Sequence, residues 1–422
     1  MKTIVLDDDP TGTQSASGVT VLLESNADLL TEALRERDSV YVQTNSRAID
    51  EDAAIALVRS VRADGLDAAQ RLGTSVRFVL RGDSTLRGHV FAESDVFADE
   101  TSIMVFVPAF PAGGRTTVDG LHLVSIDGQA IPADETEYAN DPVFGFRHGQ
   151  LVDYVTEKTA ATAQPNRRGV HVPLQTVRSG TLATVLADAK AGDVILPDVS
   201  NDDDVALIAD AITAAQQSGR NIVVRCAAPL AAALAGVTST RLLPTPLVAE
   251  PKRTLLVCGS HTIGATRQLE PVIAAWGESI VVDTDAALTD SAAAGLDAAA
   301  VASGVLDARG LAVITSERIR SSEHNTLDHG SRVMEALTGA VRALVPSVDV
   351  VIAKGGITSA DVARIGIGAT SALVLGQVLP GISVWDLTAF DGHRVLYVVV
   401  PGNVGGPDTL TRVLAAVGYV RP

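Results

Sequence analysis

Short apolar runs recur along the chain, each followed by a polar or glycine-rich turn and then by a stretch with helical spacing of apolar positions. The runs Ile4–Leu6, Val19–Leu23, Val40–Thr44, Val76–Leu80, Ile103–Val107, Val194–Leu196 and Ile222–Arg225 predict a first series of strands. They are near-continuous rather than alternating, as expected of strands covered on both faces. Helical patterns lie between them, over Asp28–Arg37, Glu51–Leu72 and Asp203–Gln217. Such alternation of strand and helix predicts a parallel sheet flanked by helices. Residues 119–180 break the rhythm and read as long surface loops with one or two short strands.

A second series begins after Leu242–Arg253, a proline-rich segment with the composition of a linker and of a hinge. Strands are expected at Thr254–Cys258, Ile280–Val282, Leu311–Ile314, Val350–Ala353, Ala372–Val374 and Val395–Val400. Helices are expected up to Ala275, from Asp285, over Asn325–Leu344 and at the end of the chain to Val417. The fold class is therefore α/β, two domains, each a mainly parallel sheet flanked by helices. The domains are residues 1–245 and 254–422.

Composition narrows the function. The 422 residues carry a formal charge of −17, with no basic block, which argues against nucleic acid and anionic membranes as partners. No apolar run reaches the length of a membrane span, and the N-terminus lacks a signal-peptide core. The only cysteines, Cys226 and Cys258, sit in apolar runs and read as buried thiols of a reducing, cytoplasmic compartment. His324 and His329 have no cysteine pair nearby and the wrong spacing for one helix face, which argues against structural zinc.

Three strand ends of the first half carry candidate chemistry. Ile4–Leu6 runs into Asp7, Asp8 and Asp9, then Pro10-Thr11-Gly12. Adjacent carboxylates repel, so they call for a raised pKa, a cation or a metal. Val76–Leu80 runs into Arg81-Gly82-Asp83-Ser84-Thr85-Leu86-Arg87, and Ile103–Val107 leads to Arg115. Arginine grips a carboxylate with paired donors, and aspartate orients a hydroxyl. Ligands of open α/β sheets bind beyond the carboxyl ends of strands. The set therefore suits a small, hydroxylated, anionic ligand.

The second half carries glycine turns. Val350–Ala353 is followed by Gly355-Gly356-Ile357-Thr358-Ser359, with Thr358 and Ser359 as N-cap types and a helix from Asp361 to Ile365. Such a turn suits a phosphate, although the same pattern fits an ordinary strand-to-helix connection. Gly259-Ser260-His261-Thr262 and Gly402-Asn403-Val404-Gly405-Gly406 repeat the theme. Together they would cradle a nucleotide without a Walker A lysine, since no turn matches that motif.

Taken together, Asp8-Asp9 with Thr11-Gly12, Asp83–Gly88, Pro108–Thr117, Gly355–Ser359 and Pro401–Gly406 resemble the four-carbon acid sugar kinase family, across nearly the whole chain. The resemblance implies an N-terminal acid-sugar domain, a C-terminal ATP domain and phosphoryl transfer to a hydroxyl of a tetronate or 3-oxo-tetronate. It implies Ser260, Gly355, Gly356, Ile357, Thr358, Gly402 and Asn403 as nucleotide contacts. Asp8, Asp9, Asp83, Ser84, Arg81, Arg87 and Arg115 become the acid-sugar set. ATP and Mg²⁺ are the implied cofactors, with no metal ligands assigned. Pro10 and Thr13 in the first motif, His261, and Val400-Pro401 with Val404 in the last depart from the commoner pattern and point to a divergent branch.

On this reading Asp83, between two arginines, orients a hydroxyl, while Asp8 or Asp9 takes its proton. Alternation would point Asp8 and Asp9 to opposite faces, so that only one meets the substrate. Asp9, nearest the turn, is favoured, with Asp8 open. Two other functions remain open: a non-catalytic sensor of sugar acids and nucleotides, and a nucleotide-dependent oxidoreductase. The sequence admits a homo-oligomer and leaves the oligomeric state open.

Overall fold

The computed structural model describes residues 1–126, 128–160, 162, 167–318, 327–402 and 404–420. It divides into two compact units, Met1–Val19 with Ser25–Thr238, and Thr20–Glu24 with Ser239–Pro422.

In the first unit the strands Ser39–Gln43, Lys2–Asp7, Val76–Arg81, Ile222–Cys226, Ile103–Val107, Val194–Pro197 and Gly169–Val172 lie side by side in that order, every pair parallel. Most of their apolar residues are buried, with Val76, Phe78 and Val170 half-buried. Asp7 stands in register with Gln43 on one side and Arg81 on the other, and Arg81 with Cys226. The carboxyl ends of these strands are thus level, and their following loops emerge together. The helix Glu51–Arg71 is started by Asp50, whose carboxylate accepts the Ala53 N–H at 2.9 Å.

The stretch expected to be mostly loop is more ordered than its composition suggested. Arg115–Val118, Leu121–Ile126 and Gln129–Pro132 form an antiparallel sheet of their own. Asp119 and Gly120 both adopt positive φ, 52° and 77°, the left-handed pair that a two-residue hairpin needs. The Asp198 carboxylate accepts both their N–H groups, at 3.1 and 2.9 Å.

The second unit orders its strands Ile280–Val282, Leu311–Ser316, Thr254–Cys258, Val350–Lys354 and Arg394–Val400 in parallel. Ile382–Thr388, Ser371–Leu379 and Thr20–Leu22 then continue antiparallel. The strand Ile382–Thr388, which the pattern did not reveal, makes a hairpin with Ser371–Leu379. Val21 pairs with Ala372, so the run read with the N-terminal series belongs to the second unit. Leu256, Ile352 and Val398 are wholly buried beneath the helices Ile263–Trp276 and Thr409–Ala416. Burying each such side chain contributes roughly 1.5–3 kcal/mol.

The helix after Val350–Lys354 starts earlier than expected, at Gly356, with Gly355 as its cap. Gly355 has φ 120°, a backbone open to glycine, and this lets the chain pass straight from strand to helix. Thr358 and Ser359 therefore lie inside the first turns rather than capping them. Ser359 Oγ donates to the Gly355 and Ala353 carbonyls, at 2.7 and 3.1 Å. No helix among the described residues is long and apolar enough to cross a membrane.

Candidate active site

The level strand ends of the first unit bring a charged cluster together. Arg81 Nη1 lies 3.1, 3.4 and 2.8 Å from carboxylate oxygens of Asp7, Asp8 and Asp9. Arg225 Nη2 lies 3.2 Å from Asp8, and its other nitrogen pairs with Glu93. Arg47 contacts Asp8 at 3.6 Å, pairs with Asp9 and lies 3.5 Å from Asp83. Arg87 Nε donates to Asp83 at 2.8 Å and stacks over the Tyr138 ring, 5.1 Å from its centroid. Arg115 is buried and also interacts with Tyr138.

Burial sorts these groups into layers. The Arg81 and Arg225 side chains are 1% and 2% exposed, whereas Arg47 and Arg87 are 13% and 21% exposed. Arg81, expected among the ligand contacts, is as buried as the aspartates it pairs with. Arg47 and Arg87 are thus the more exposed of the four, while each still pairs with carboxylates of the cluster. Ser84 is buried, and its carbonyl accepts from His122 Nε2 at 2.9 Å. Burial pushes the His122 pKa down to about 4, so that ring is neutral.

The strand ends at Asp7, and Asp9 becomes the cap of the 3-10 turn Pro10–Ser15, accepting the Thr11 N–H at 2.8 Å. Asp8 and Asp9 therefore lie off the strand, and both meet Arg81 and Arg47. The expected division onto opposite faces does not occur, because pleat alternation stops where the strand stops. Burial alone would raise the Asp83 pKa, but Arg87, Arg47, Thr85 and Arg81 outweigh it and hold the carboxyl well below the usual range. Asp7 moves the other way: burial pushes it up to about 7 despite Arg81, and its Oδ2 has no hydrogen-bond partner. Gly12 passes so close that any Cβ there would overlap the Asp7 carboxylate.

Sequence reasoning missed Arg47, Arg225 and Glu93. Arg47 follows the strand Ser39–Gln43 on the turn Ser46–Ala48, a fourth polar strand end. Arg225 was visible as a lone charge inside an apolar strand. Glu93, in the short helix Val90–Asp95, gave no local signal.

In the second unit the glycine turns converge. A Cβ on Gly355 would lie 3.0 Å from Thr358 Oγ1 and 3.1 Å from Ser260 Cβ, and one on Gly402 would lie 3.1 Å from Ser260 Oγ. Thr262 Oγ1 donates to the Gly402 carbonyl at 3.1 Å and accepts the Ala265 N–H at 3.2 Å, starting the helix Ile263–Trp276. Gly355, Thr358, Ser260 and Gly402 are thus neighbours, and Ile357 beside them is exposed. Gly356 lacks positive φ, so the conformational demand falls on Gly355. Asn403 and His324 lie outside the described residues.

Asp7, Asp8 and Asp9 bring carboxylate oxygens within 4.8 Å of one another, the spacing of a metal site. Arg47, Arg81 and Arg225 already neutralise them, so the set does not fit a resident divalent cation.

A family described as a sugar-binding N-terminal domain matches residues 3–234, and a nucleotide-binding C-terminal domain matches residues 255–410. A D-erythronate kinase of Heliobacterium modesticaldum is 31% identical over 242 residues, 56% of this chain and 50% of that protein. A D-threonate kinase of Salmonella typhimurium is 29% identical over 305 residues, 69% of this chain and 66% of that protein. The chain thus spans half the length of the first relative and just under two thirds of the second. A D-threonate kinase of Bordetella bronchiseptica is 27% identical over 91% of this chain and 87% of its own length. Two crystal structures share the fold at 18% identity. One is a Haemophilus influenzae protein of a domain-of-unknown-function family, with TM-score 0.61 over 98% of this chain and 99% of that one. The other is a Salmonella typhimurium protein described as a putative tRNA synthase, with TM-score 0.67 over 97% and 98%. The chain belongs to the four-carbon acid sugar kinase family, with a sugar-binding N-terminal domain followed by a nucleotide-binding C-terminal domain.

Proposed function

We propose that the chain transfers the terminal phosphoryl group of ATP to a hydroxyl of a four-carbon sugar acid of the erythronate or threonate type. The observation that carries this reading is the outward placement of Arg47 over Asp8, Asp9 and Asp83. A sugar acid offers the carboxylate that a guanidinium grips and the hydroxyls that aspartates orient. The names of the relatives support the same substrate class.

Phosphoryl transfer asks a protein for positioning, charge neutralisation and a base. Arg47 and Arg87 hold the substrate carboxylate. Asp83, kept ionised by its arginines, accepts a hydrogen bond from a substrate hydroxyl. When the substrate carboxylate draws Arg47 toward itself, it loosens the ion pair of Arg47 with Asp9. Asp9 Oδ2 is then released to take the proton of the acceptor hydroxyl, and Asp8 is the alternative base. Ser260, Gly355, Gly356, Thr358 and Gly402 hold the nucleotide, whose phosphates approach the turns where a Cβ would intrude. Mg²⁺ enters with ATP as part of that substrate, since magnesium keeps much of its water and rides on phosphate oxygens.

The test is incubation with ATP, Mg²⁺ and a panel of four-carbon sugar acids. Release of ADP that depends on the acid is expected. Binding of the acid without ADP release would favour a sensor. A nicotinamide absorbance change would favour an oxidoreductase. Either result overturns the kinase reading.

A further inference from the structure

Lys354, the last residue of the strand Val350–Lys354, is wholly buried. Its Nζ donates to the Pro401 carbonyl at 2.6 Å and lies 3.5 Å from the Gly402 carbonyl. Two other ionisable groups bear on it. One is the thiol of Cys258, on the neighbouring strand. The other is the guanidinium of Arg318, which lies after the strand Leu311–Ser316. Burial raises the Cys258 pKa, so that thiol brings no negative charge at neutral pH. Arg318 is itself a cation, donating to the Ser260 carbonyl and, at 3.0 Å, to Thr266 Oγ1. Among the described residues no carboxylate forms a salt bridge with Lys354.

Buried charges are ordinarily paired, because taking an ion out of water is costly. Here a buried ammonium rests on two carbonyls with a second cation nearby. Burial pushes its pKa down to about 8, so most of the charge survives at neutral pH. The carbonyls it grips belong to the turn that carries Gly402, beside Ser260 and Gly355. The electropositive spot thus lies beside the convergent glycine turns, and among the described residues no carboxylate pairs with it.

We propose that Lys354 is a positioning residue of the nucleotide site, fastening the Pro401–Gly402 turn to the end of its strand and supplying the positive charge that the nucleotide's phosphates neutralise. The proposal rests on the reading of the second unit as the nucleotide site. The cradle still has no Walker A lysine. The lysine comes from the strand end before the glycines and acts from beneath the turn.

The test is calorimetric titration of the full chain with adenosine, AMP, ADP and ATP. Wild-type affinity should rise with phosphate number. Lys354→Gln and Lys354→Met should weaken ATP binding by about tenfold or more, ADP binding less and adenosine binding little, so that the series flattens. Lys354→Arg should keep the slope. A merely structural lysine would weaken every member equally, or lower the melting temperature without changing the slope, and either result overturns the proposal. Binding of a sugar acid to the first unit checks that the variants are folded. Should they not fold, the wild type decides alone. Its ATP-to-adenosine affinity ratio should fall as pH rises from about 7.5 to about 9.5 and the ammonium is lost. A constant ratio overturns the proposal. If the wild type binds no nucleotide at all, the reading of the second unit fails first, and this inference with it.

Discussion

Arg47 Nη1 lies 3.5 Å from Asp83 Oδ2, a contact between the loops that follow two separate strands. Those strands flank Lys2–Asp7 on either side, so the contact bridges the mouth of the cluster above the buried Arg81. Arg47 keeps 13% of its side chain exposed there. Arg47→Met should raise the KM for the sugar acid by about tenfold to hundredfold, the loss expected of a charged hydrogen bond or two. The KM for ATP should change little. Steady-state kinetics with each substrate varied in turn checks this, and an equal rise in both constants would remove Arg47 from the acid-binding role.

The base is tested by replacing carboxylate with amide. Asp9→Asn keeps the cap on Thr11 and the bulk of the side chain but removes basicity. It should lower kcat by about 10²-fold with little change in substrate affinity. Asp83→Asn should act mainly on KM, because its carboxylate is held ionised to orient a hydroxyl. Asp8→Asn leaves Arg225 with one carboxylate fewer in a buried setting, so its melting temperature must be measured beside its rate. A dead Asp8→Asn that remains folded, beside an active Asp9→Asn, would move the base to Asp8.

Much of this site was legible because parallel strands end together. Asp8, Asp9, Asp83 and Arg87 all follow apolar runs, and level registers made them neighbours. Arg225 and Lys354 were overlooked for the opposite reason. Each sits in or at the end of a strand whose other residues are apolar, where a charge reads as an interruption rather than a signal. A buried charge in such a place is costly and therefore informative. The hairpin at Asp119-Gly120 was also written in the chain, as a turn pair between short runs, but the surrounding polar residues hid its strands. The layering of Arg47 over Arg81 had no local trace, since it depends on which side chain the surrounding packing leaves at the surface.

Gly355 offers a separate handle on the second unit. Its φ of 120° disfavours any side chain, and a Cβ there would press on Ser260 and Thr358. Gly355→Ala should distort the turn and weaken ATP binding by about tenfold or more, while sugar-acid binding survives. Gly356→Ala should be milder, since Gly356 lacks positive φ. Titration of both ligands against both variants checks the order. Equal loss of the two ligands in a folded Gly355→Ala protein would count against separate binding domains.

Asp7 makes stability depend on pH in an unusual direction for a carboxylate. Burial raises its pKa to about 7 from an ordinary value of 3.8. Between those values the folded protein keeps a proton that the unfolded chain has lost. The contribution of Asp7 is therefore fully present below the unfolded value and is lost as pH rises through about 7. Asp83 is shifted downward, so its own contribution is lost only in stronger acid, outside this window. Asp7→Asn resembles the protonated side chain at every pH. Relative to the wild type, the variant should gain roughly 2 kcal/mol or more of unfolding free energy between about pH 5 and about pH 8. Other groups that titrate in the window are shared by the two proteins and cancel in the difference. Urea unfolding of both proteins across that range measures it. Parallel stability curves would mean that Arg81 keeps Asp7 ionised throughout, and that its unpartnered oxygen is satisfied by water.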